Sequence, residues 1–287
     1  MDNKILIDNF SLYLRRKDKT KSTIMAYVKD ISQLSEHYPE KSLIEITEEE
    51  IRVILKTWVY NGTFSTKTVS RKLNSIRTFY NFLIDKKTIF KSPAEEIHHP
   101  KFRNEKPRIL SKNEYSQIRE ICSDNLKSIT MLEILLQTGI RIGELSRLKI
   151  KDVVFNNNSY LNIAEYSSIQ QRKVPLNEKA IKSLKLYLSS IEKKNPDSPL
   201  FATRSGKLIQ IRNIRSSIDK IIKKAKVKDT CVNDIRNTFI VYQLNHGFSI
   251  EKLAEIVGHK TVVTTSRYIN LTSKPYKDKG LEILQEL

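Results

Sequence analysis

Apolar residues recur every three or four positions along most of this 287-residue chain, which is the spacing of amphipathic helices. Only 7 Gly and 8 Pro occur in the whole chain, so few residues interrupt such helices. A capping box that starts at Thr47 marks one helix start. The pattern predicts a mainly α fold whose N-terminal part contains four helices, near residues 4–16, 21–37, 48–60 and 66–87.

The fourth of these helices has an apolar side and a basic side. Its apolar side repeats in alternate steps of four and three, through Val69, Leu73, Ile76, Tyr80 and Leu83. Lys67, Arg71 and Asn74 lie roughly opposite. A basic helix side is typical of DNA contact, and it is equally typical of an ordinary solvated face. The helix alone leaves both interpretations open.

The composition changes after residue 91. Residues 92–108 are polar and contain three prolines, which favours an extended, exposed connection between two domains. The boundaries predicted are a domain at 1–91, a linker at 92–108 and a second domain at 109–272. Further helices are expected at 178–193 and 211–226. Two short alternating segments, 160–163 and 172–176, predict a small antiparallel β-hairpin within the second domain.

Charge and composition narrow the class of partner. The 51 Lys and Arg residues against 32 Asp and Glu give a formal net charge of +19, which favours binding to nucleic acid. The alternative is a Lys-rich compositional bias with no functional surface.

Two separate cysteines and five scattered histidines match no disulfide framework or metal-ligand spacing, so no metal or cofactor is expected. The N-terminus shows no signal peptide and no apolar run reaches membrane length, which predicts a soluble cytoplasmic protein.

Four residues in the predicted second domain fit chemistry at a phosphate. Arg141 lies in the run TGIRIGEL and Arg236 in the run DIRN. His259 follows Gly258, and Tyr268 comes nine residues after that histidine. Two guanidinium groups can neutralise a phosphodiester by bidentate hydrogen bonding, and a phenol can attack it if its proton is removed. These residues therefore predict a phosphate-binding nucleophilic site.

The same runs are similar to the active-site motifs of tyrosine recombinases, the phage integrase family, and the resemblance extends over nearly the whole chain. It is greatest to minimal Xer-type recombinases and to transposon-encoded resolvases or integrases. The resemblance implies a SAM-like four-helix core-binding domain before a larger helical catalytic domain, together forming a C-shaped clamp on duplex DNA. It also implies site-specific recombination through a 3′-phosphotyrosyl intermediate, without cofactor or small-molecule substrate.

The resemblance assigns roles to individual residues. Arg141, Arg236 and His259 would bind the phosphate and Tyr268 would be the nucleophile. Glu144, three residues after the first arginine, would orient its guanidinium. The residues expected to contact DNA elsewhere are Lys67, Arg71, Lys72, Arg77, Arg204 and Lys207.

Three positions depart from the family pattern. Ser167 stands where the family has a lysine that protonates the leaving oxygen, and Lys173 is a candidate substitute if the strand register differs. Asn233 stands where the family has His or Lys, and Asn237 where it has His. Neither Ser nor Asn transfers a proton near neutral pH, so the sequence leaves the general acid open.

The resemblance also implies assembly on DNA. A monomer in solution would form cooperative dimers and then tetramers, with residues 273–287 docking on a neighbouring protomer. Docking of this tail on its own domain is the alternative. Two other functions stay open: a DNA-binding regulator with impaired catalysis, and a type IB topoisomerase that acts without a specific site.

Overall fold

The computed structural model describes residues 2–101, 106–166, 170–191, 195–281 and 283–287. The chain divides into two compact units, residues 1–105 and 106–287. Helices dominate both units, and a small antiparallel sheet lies in the second. The predicted mainly α fold with a small β element is therefore confirmed.

The first unit contains the four helices that the apolar spacing predicted. They are α1 (Asn3–Arg16), α2 (Lys21–His37), α3 (Glu48–Tyr60) and α4 (Thr66–Asp85). Each begins at a residue whose side chain accepts a backbone hydrogen bond from the first turn, namely Asp2, Thr20, Thr47 and Ser65. Their core contains Phe10 and Phe79, packed edge to face with ring centroids 5.3 Å apart.

The segment after α4 differs from the exposed connection predicted for residues 92–108. Ala94 and Ile97 are buried in the core of the first unit. Arg77 on α4 donates hydrogen bonds to the carbonyls of Ala94 and Ile97, which holds the segment against the helix. Two apolar side chains in a polar, proline-containing stretch were enough to keep residues 92–97 packed on the first unit, so the predicted linker starts too early.

The second unit contains eight helices in the part of the chain described. Their bounds are α5 (Lys112–Cys122), α6 (Leu126–Thr138), α7 (Ile142–Arg147), α8 (Glu178–Ser189), α9 (Ile211–Lys224), α10 (Val232–His246), α11 (Ile250–Val257) and α12 (Val262–Ser266). α6 is the central helix: all nine residues from Thr130 to Thr138 are buried. α9 is amphipathic, with Ile214, Ile218 and Ile222 facing the core.

The sheet has three antiparallel strands in the order β1 (Val153–Val154), β2 (Tyr160–Ile163) and β3 (Arg172–Pro175). The predicted hairpin corresponds to β2 and β3, in which Ile163 pairs with Arg172 and Asn162 with Lys173. β1 has two residues and gives too short a pattern to be predicted from alternation. The register matters because it turns Arg172 inward and Lys173 outward.

The C-terminal tail packs on its own unit in the single chain. Leu284 and Leu287 are buried in the core of the second unit. Gln243 on α10 exchanges two hydrogen bonds with Gln285, from its Nε2 to the Gln285 carbonyl and from the Gln285 N–H to its Oε1. The family resemblance implied docking of the tail on a neighbouring protomer, whereas its apolar residues are covered by its own unit in the single chain.

Candidate active site

The loop between α6 and α7 places the first arginine. Gly139 ends α6 with φ 60°, a left-handed conformation that suits glycine. A Cβ atom there would lie 2.2 Å from the ring of Phe239, so α10 packs directly on this backbone. Arg141 is the N-cap of α7, and its N–H donates to Oε2 of Glu144 at 2.8 Å. The turn therefore fixes both the arginine and the carboxylate beside it.

Glu144 is a buried carboxylate shared by two arginines. Its Oε1 accepts from Arg141 at 3.2 Å and from Arg172 at 3.0 Å, and its Oε2 accepts from Arg172 at 2.8 Å. Burial acts to raise the pKa of Glu144, but hydrogen bonds and charge from Arg172 outweigh it and the pKa lies below the ordinary value. Glu144 is therefore ionised. It forms a bidentate pair with Arg172 and accepts one hydrogen bond from the guanidinium of Arg141.

Three guanidinium groups converge on the C-terminal end of α11. Arg172 donates to the carbonyl of Ile256 at 2.8 Å, and Arg236 donates to that of Val257 at 2.7 Å. Arg141 donates to the carbonyls of Val257 and Gly258 at 3.2 and 2.7 Å. Helix C-termini carry unpaired carbonyls and a partial negative charge, so they hold guanidinium groups without neutralising them.

The glycine that ends α11 makes this convergence possible. Gly258 has φ 70°, in the left-handed region. A Cβ atom at this position would lie 2.8 Å from the guanidinium carbon of Arg172 and 3.1 Å from a nitrogen of Arg141. Gly258 therefore serves both as the helix cap and as the space into which two arginines fit, and it delivers His259 directly beside them.

His259 and Tyr268 lie together beyond that helix end. Their rings are nearly parallel, with centroids 6.3 Å apart. The Nδ1 atom of His259 lies 2.8 Å from the hydroxyl of Thr265 on α12. The Tyr268 N–H donates to the Thr265 carbonyl at 3.0 Å, so the turn after α12 sets the position of the phenol.

The phenol of Tyr268 has a defined partner. Its hydroxyl donates to Oδ1 of Asn237 at 2.9 Å. Nδ2 of Asn237 donates in turn to the Asp234 carboxylate at 3.2 Å. A carboxylate accepts hydrogen bonds and an amide nitrogen donates them, so this pairing sets the orientation of the amide and makes Tyr268 the donor. The resting phenol is protonated and held.

Burial and the arginines set the charges of the site. Burial lowers the pKa of Arg236 to about 9, with a further contribution from Arg141, so the guanidinium stays charged near neutral pH. Burial and the neighbouring arginines lower the pKa of His259 to about 4. Burial raises the pKa of Tyr268, while Arg236 acts in the opposite direction. The resting site thus combines cationic arginines with a neutral histidine and a neutral phenol.

The departures from the family pattern at 167 and 233 and the candidate substitute Lys173 lie in different places. Lys173 is exposed and its ammonium lies 4.6 Å from the centroid of the Tyr160 ring, on the side of β3 opposite to Arg172. In this register Lys173 faces away from the guanidinium cluster, contrary to the alternative considered from sequence. Asn233 is exposed in the first turn of α10, one turn before Arg236. Ser167 lies outside the described residues.

Some of the residues predicted to contact DNA have structural partners instead. Lys72 is buried, donates to Asp30 at 2.8 Å and lies 4.2 Å from the centroid of the Phe64 ring, so its assignment to DNA was wrong. Arg71 is exposed and forms a bidentate ion pair with Asp30. Arg77 is committed to the backbone carbonyls after α4 and to His99.

Three predicted DNA-contacting residues have exposed side chains. Lys67, Arg204 and Lys207 form no side-chain hydrogen bond or ion pair with any residue that the structure describes. Lys67 lies in the first turn of α4, and the other two flank a tight turn at Gly206, whose φ is 74°. Their contact with DNA stays a prediction.

Sequence reasoning missed Arg172, Thr265 and the partner role of Asn237. A signal existed for Arg172: it shares a strand face with the apolar Val174, and a charged residue on an inward face requires a buried partner. Thr265 and Asn237 carry no comparable signal, because their partners are distant in sequence or set by a turn.

In the described part of the chain, no group of His, Cys, Asp or Glu has the arrangement of a metal site, and no helix is long and apolar enough to cross a membrane.

Comparison with known proteins identifies the fold and its family. Residues 108–274 match the phage integrase family, and residues 6–89 match the N-terminal SAM-like domain of phage integrases. A tyrosine recombinase of Pseudothermotoga lettingae is 27% identical over 98% of this chain and 99% of its own length. The tyrosine recombinase XerC of Bacillus subtilis is 26% identical over 96% of this chain and 94% of its own length.

Solved structures share the fold at lower identity. The Tn1549 transposon integrase in complex with circular intermediate DNA has a TM-score of 0.77 and 20% identity, over 92% of this chain and 94% of that one. A lambda integrase dimer bound to a core site has a TM-score of 0.76 and 15% identity, over 92% of this chain and 97% of that one. The chain belongs to the phage integrase family. The family match confirms the predicted activity, which is site-specific recombination by cleavage and rejoining of DNA strands.

Proposed function

We propose that Tyr268 cleaves DNA by attacking a phosphodiester held by Arg141, Arg236 and His259. The observation that carries this assignment is the convergence of the guanidinium groups at the end of α11, next to the stacked His259 and Tyr268 rings. Arg141 and Arg236 donate mainly to neutral backbone carbonyls, and a phosphate is a much stronger acceptor for such donors. An arriving phosphate would therefore compete well for both groups.

The reaction preserves the bond energy of the DNA backbone. The Tyr268 oxygen bonds to phosphorus as the bond to the 5′ oxygen breaks, which leaves a 3′-phosphotyrosyl link and a free 5′-hydroxyl. The phenol loses its proton and the leaving oxygen gains one. Attack by the 5′-hydroxyl of a partner strand reverses the chemistry and rejoins DNA. The guanidinium groups stabilise the charge of the pentacoordinate transition state.

The electrostatics of the site favour phosphate binding before attack by Tyr268. Tyr268 is neutral at rest and donates to Asn237, so it must leave that amide before it can attack. A bound phosphate adds negative charge beside His259, which favours its protonated form. The neutral Nε2–H or the imidazolium can each donate to a nonbridging oxygen.

Duplex DNA is the proposed partner, and catalysis would occur in a dimer or tetramer assembled on two sites. Structural relatives include a lambda integrase dimer bound to a core site and a lambda integrase tetramer bound to a Holliday junction. The high positive charge of this chain and the exposed Lys67, Arg204 and Lys207 support binding to the phosphate backbone. The monomer would predominate without DNA.

The test is formation of a covalent adduct on a selected half-site. Binding sites would be selected from random duplexes and then supplied with a nick next to the cleavage position, so that the short fragment that bears the released 5′-hydroxyl diffuses away. Wild-type protein should accumulate a denaturant-stable protein–DNA adduct, and Tyr268→Phe should form none while retaining DNA affinity. Tyr60→Phe, a change at an exposed tyrosine in the first unit, is the matched control.

The alternatives give different results in the same assay. Site-specific binding with no adduct from the wild-type protein would identify a DNA-binding protein with impaired catalysis. Relaxation of supercoiled plasmids that lack the selected site would identify type IB topoisomerase activity. An adduct that persists in Tyr268→Phe would remove Tyr268 as the nucleophile.

The C-terminal tail is proposed to move from its own domain to a neighbour during assembly. Its covered apolar residues, Leu284 and Leu287, would fill the same kind of site on the adjacent protomer. Truncation after Lys274 should then abolish cooperative binding to paired half-sites while a single half-site is still bound. Unchanged cooperativity in a truncated protein with a normal unfolding transition would contradict the proposal.

A further inference from the structure

The hydroxyl of Thr265 is buried beside the ring of His259. Thr265 is fully buried, and a buried hydroxyl hydrogen requires an acceptor. Among the described residues its hydrogen-bond partner is Nδ1 of His259, at 2.8 Å. The hydroxyl therefore donates to Nδ1, since no other acceptor in the described part of the chain is within reach.

The hydrogen bond from Thr265 determines which nitrogen of the neutral His259 ring carries the proton. A neutral imidazole has one nitrogen that donates and one that accepts. Arg236, Arg141 and Arg172 all disfavour a positive charge on this ring, and so does its burial. If Nδ1 accepts from Thr265, the proton of the neutral ring lies on Nε2. That tautomer presents a donor to a phosphate oxygen, whereas the other would present a lone pair and repel it.

We infer that Thr265 is a positioning residue that holds His259 in the Nε2-protonated tautomer for phosphate binding. The same residue accepts the backbone hydrogen bond from Tyr268, at 3.0 Å. One side chain and its own carbonyl thus set the tautomer of the phosphate donor and the turn that carries the nucleophile. The assignment of Nε2–H to the phosphate rests on the proposed function, whereas the tautomer itself does not.

The test compares variants at two adjacent threonines. Thr265→Val keeps the branched shape and removes the hydroxyl, and Thr265→Ser keeps the hydroxyl. Thr264→Val is the matched control, because Thr264 is exposed and its hydroxyl contacts Thr261 at 3.2 Å rather than the histidine. Thermal unfolding would establish that each variant is folded.

The direct readout is long-range nitrogen–proton NMR of protein with labelled histidine, in the absence of DNA. The resonances of His259 would be assigned by their loss in His259→Asn. Wild type, Thr265→Ser and Thr264→Val should show the Nε2-protonated tautomer, and Thr265→Val should show a mixture of both tautomers. Wild-type protein in the Nδ1-protonated form, or a Thr265→Val spectrum identical to wild type, would overturn the inference.

The second readout is the rate of adduct formation on the nicked half-site. Thr265→Val should be slower by about tenfold, the rate equivalent of one net hydrogen bond, and Thr265→Ser should restore most of the rate. A failure of the proposed function would appear as no Tyr268-dependent adduct in any protein, and the NMR result would still decide the tautomer. If Thr265→Val does not fold, the tautomer seen in wild type and Thr265→Ser decides it.

Discussion

Two clusters of basic side chains in this protein lie in different surroundings. On α4, Lys72 and Arg71 meet the buried carboxylate of Asp30, and Lys72 lies between that carboxylate and aromatic rings. At the end of α11, Arg141 and Arg172 share one carboxylate, Glu144, and also donate to backbone carbonyls, whereas Arg236 donates, among the described residues, to backbone carbonyls alone. The first cluster is built into the domain core, and the second retains positive charge facing its neighbouring histidine and tyrosine.

Whether a basic residue can bind a phosphate depends here on the acceptor with which it is paired, and not on the residue type. An ionised carboxylate satisfies a guanidinium or ammonium and leaves little attraction for a phosphate. A carbonyl at a helix end positions a guanidinium and leaves its charge available. A basic residue whose hydrogen bonds go mainly to a buried acid is therefore a weaker indication of DNA contact than one that donates mainly to backbone carbonyls.

The largest effect is expected from breaking the α4 cluster. Asp30→Asn leaves Lys72 buried without a full counter-charge, which should lower the free energy of unfolding by about 3–5 kcal/mol. Urea unfolding of the full chain, monitored at Trp58, measures this. Asp8→Asn, at an exposed acid in the same unit, is the control and should change stability little. A loss below 1 kcal/mol for Asp30→Asn would show that the cluster is not structural.

A loss of catalysis is expected from the other cluster. Arg236→Ala should lower the rate of adduct formation by about 10²–10³-fold, the usual effect of removing one donor to a developing oxyanion. Arg71→Ala, which removes an arginine already paired with Asp30, should lower the same rate less than tenfold. Equal losses in the two variants would contradict the distinction between the clusters.

The two lysines of α4 should differ in their effect on DNA affinity. Lys67 is exposed, so Lys67→Gln should weaken DNA binding and reduce the slope of log affinity against log salt by about 0.9, one phosphate contact. Lys72→Met removes a buried charge and should leave that slope unchanged. Titrations of DNA affinity at several salt concentrations test both variants. A changed slope for Lys72→Met would show that Lys72 contacts a DNA phosphate.

A further expected effect is a pH dependence of stability that originates at His259. Its pKa is about 4 in the folded protein and 6.5 ordinarily, so the unfolded chain takes up a proton between these values that the folded chain resists. Stability should therefore fall as pH falls from 6.5 towards 4. The melting temperature of His259→Gln should fall less over this range than that of wild type. His98→Gln, at an exposed histidine, should follow wild type.

The helices and the motif residues could be predicted because local rules govern them. The apolar spacing and the capping box at Thr47 placed the helix starts of the first unit within one residue of those found. Gly258 ends α11 in the left-handed conformation that glycine favours at a helix C-terminus. Lys72 was misassigned because its partner, Asp30, is 42 positions away and helical spacing alone gives no sign of it.

The sequence by itself determined which residue types are present for chemistry at a phosphate and which helices carry them, because both depend on nearest neighbours along the chain. Only the tertiary structure decided which charges are free. Burying a lysine with Asp30, turning Arg172 inward onto Glu144 and directing the Thr265 hydroxyl at His259 all depend on contacts between distant elements. Those contacts determine which acceptor each donor reaches, and a hydrogen bond is fixed by that geometry and not by composition.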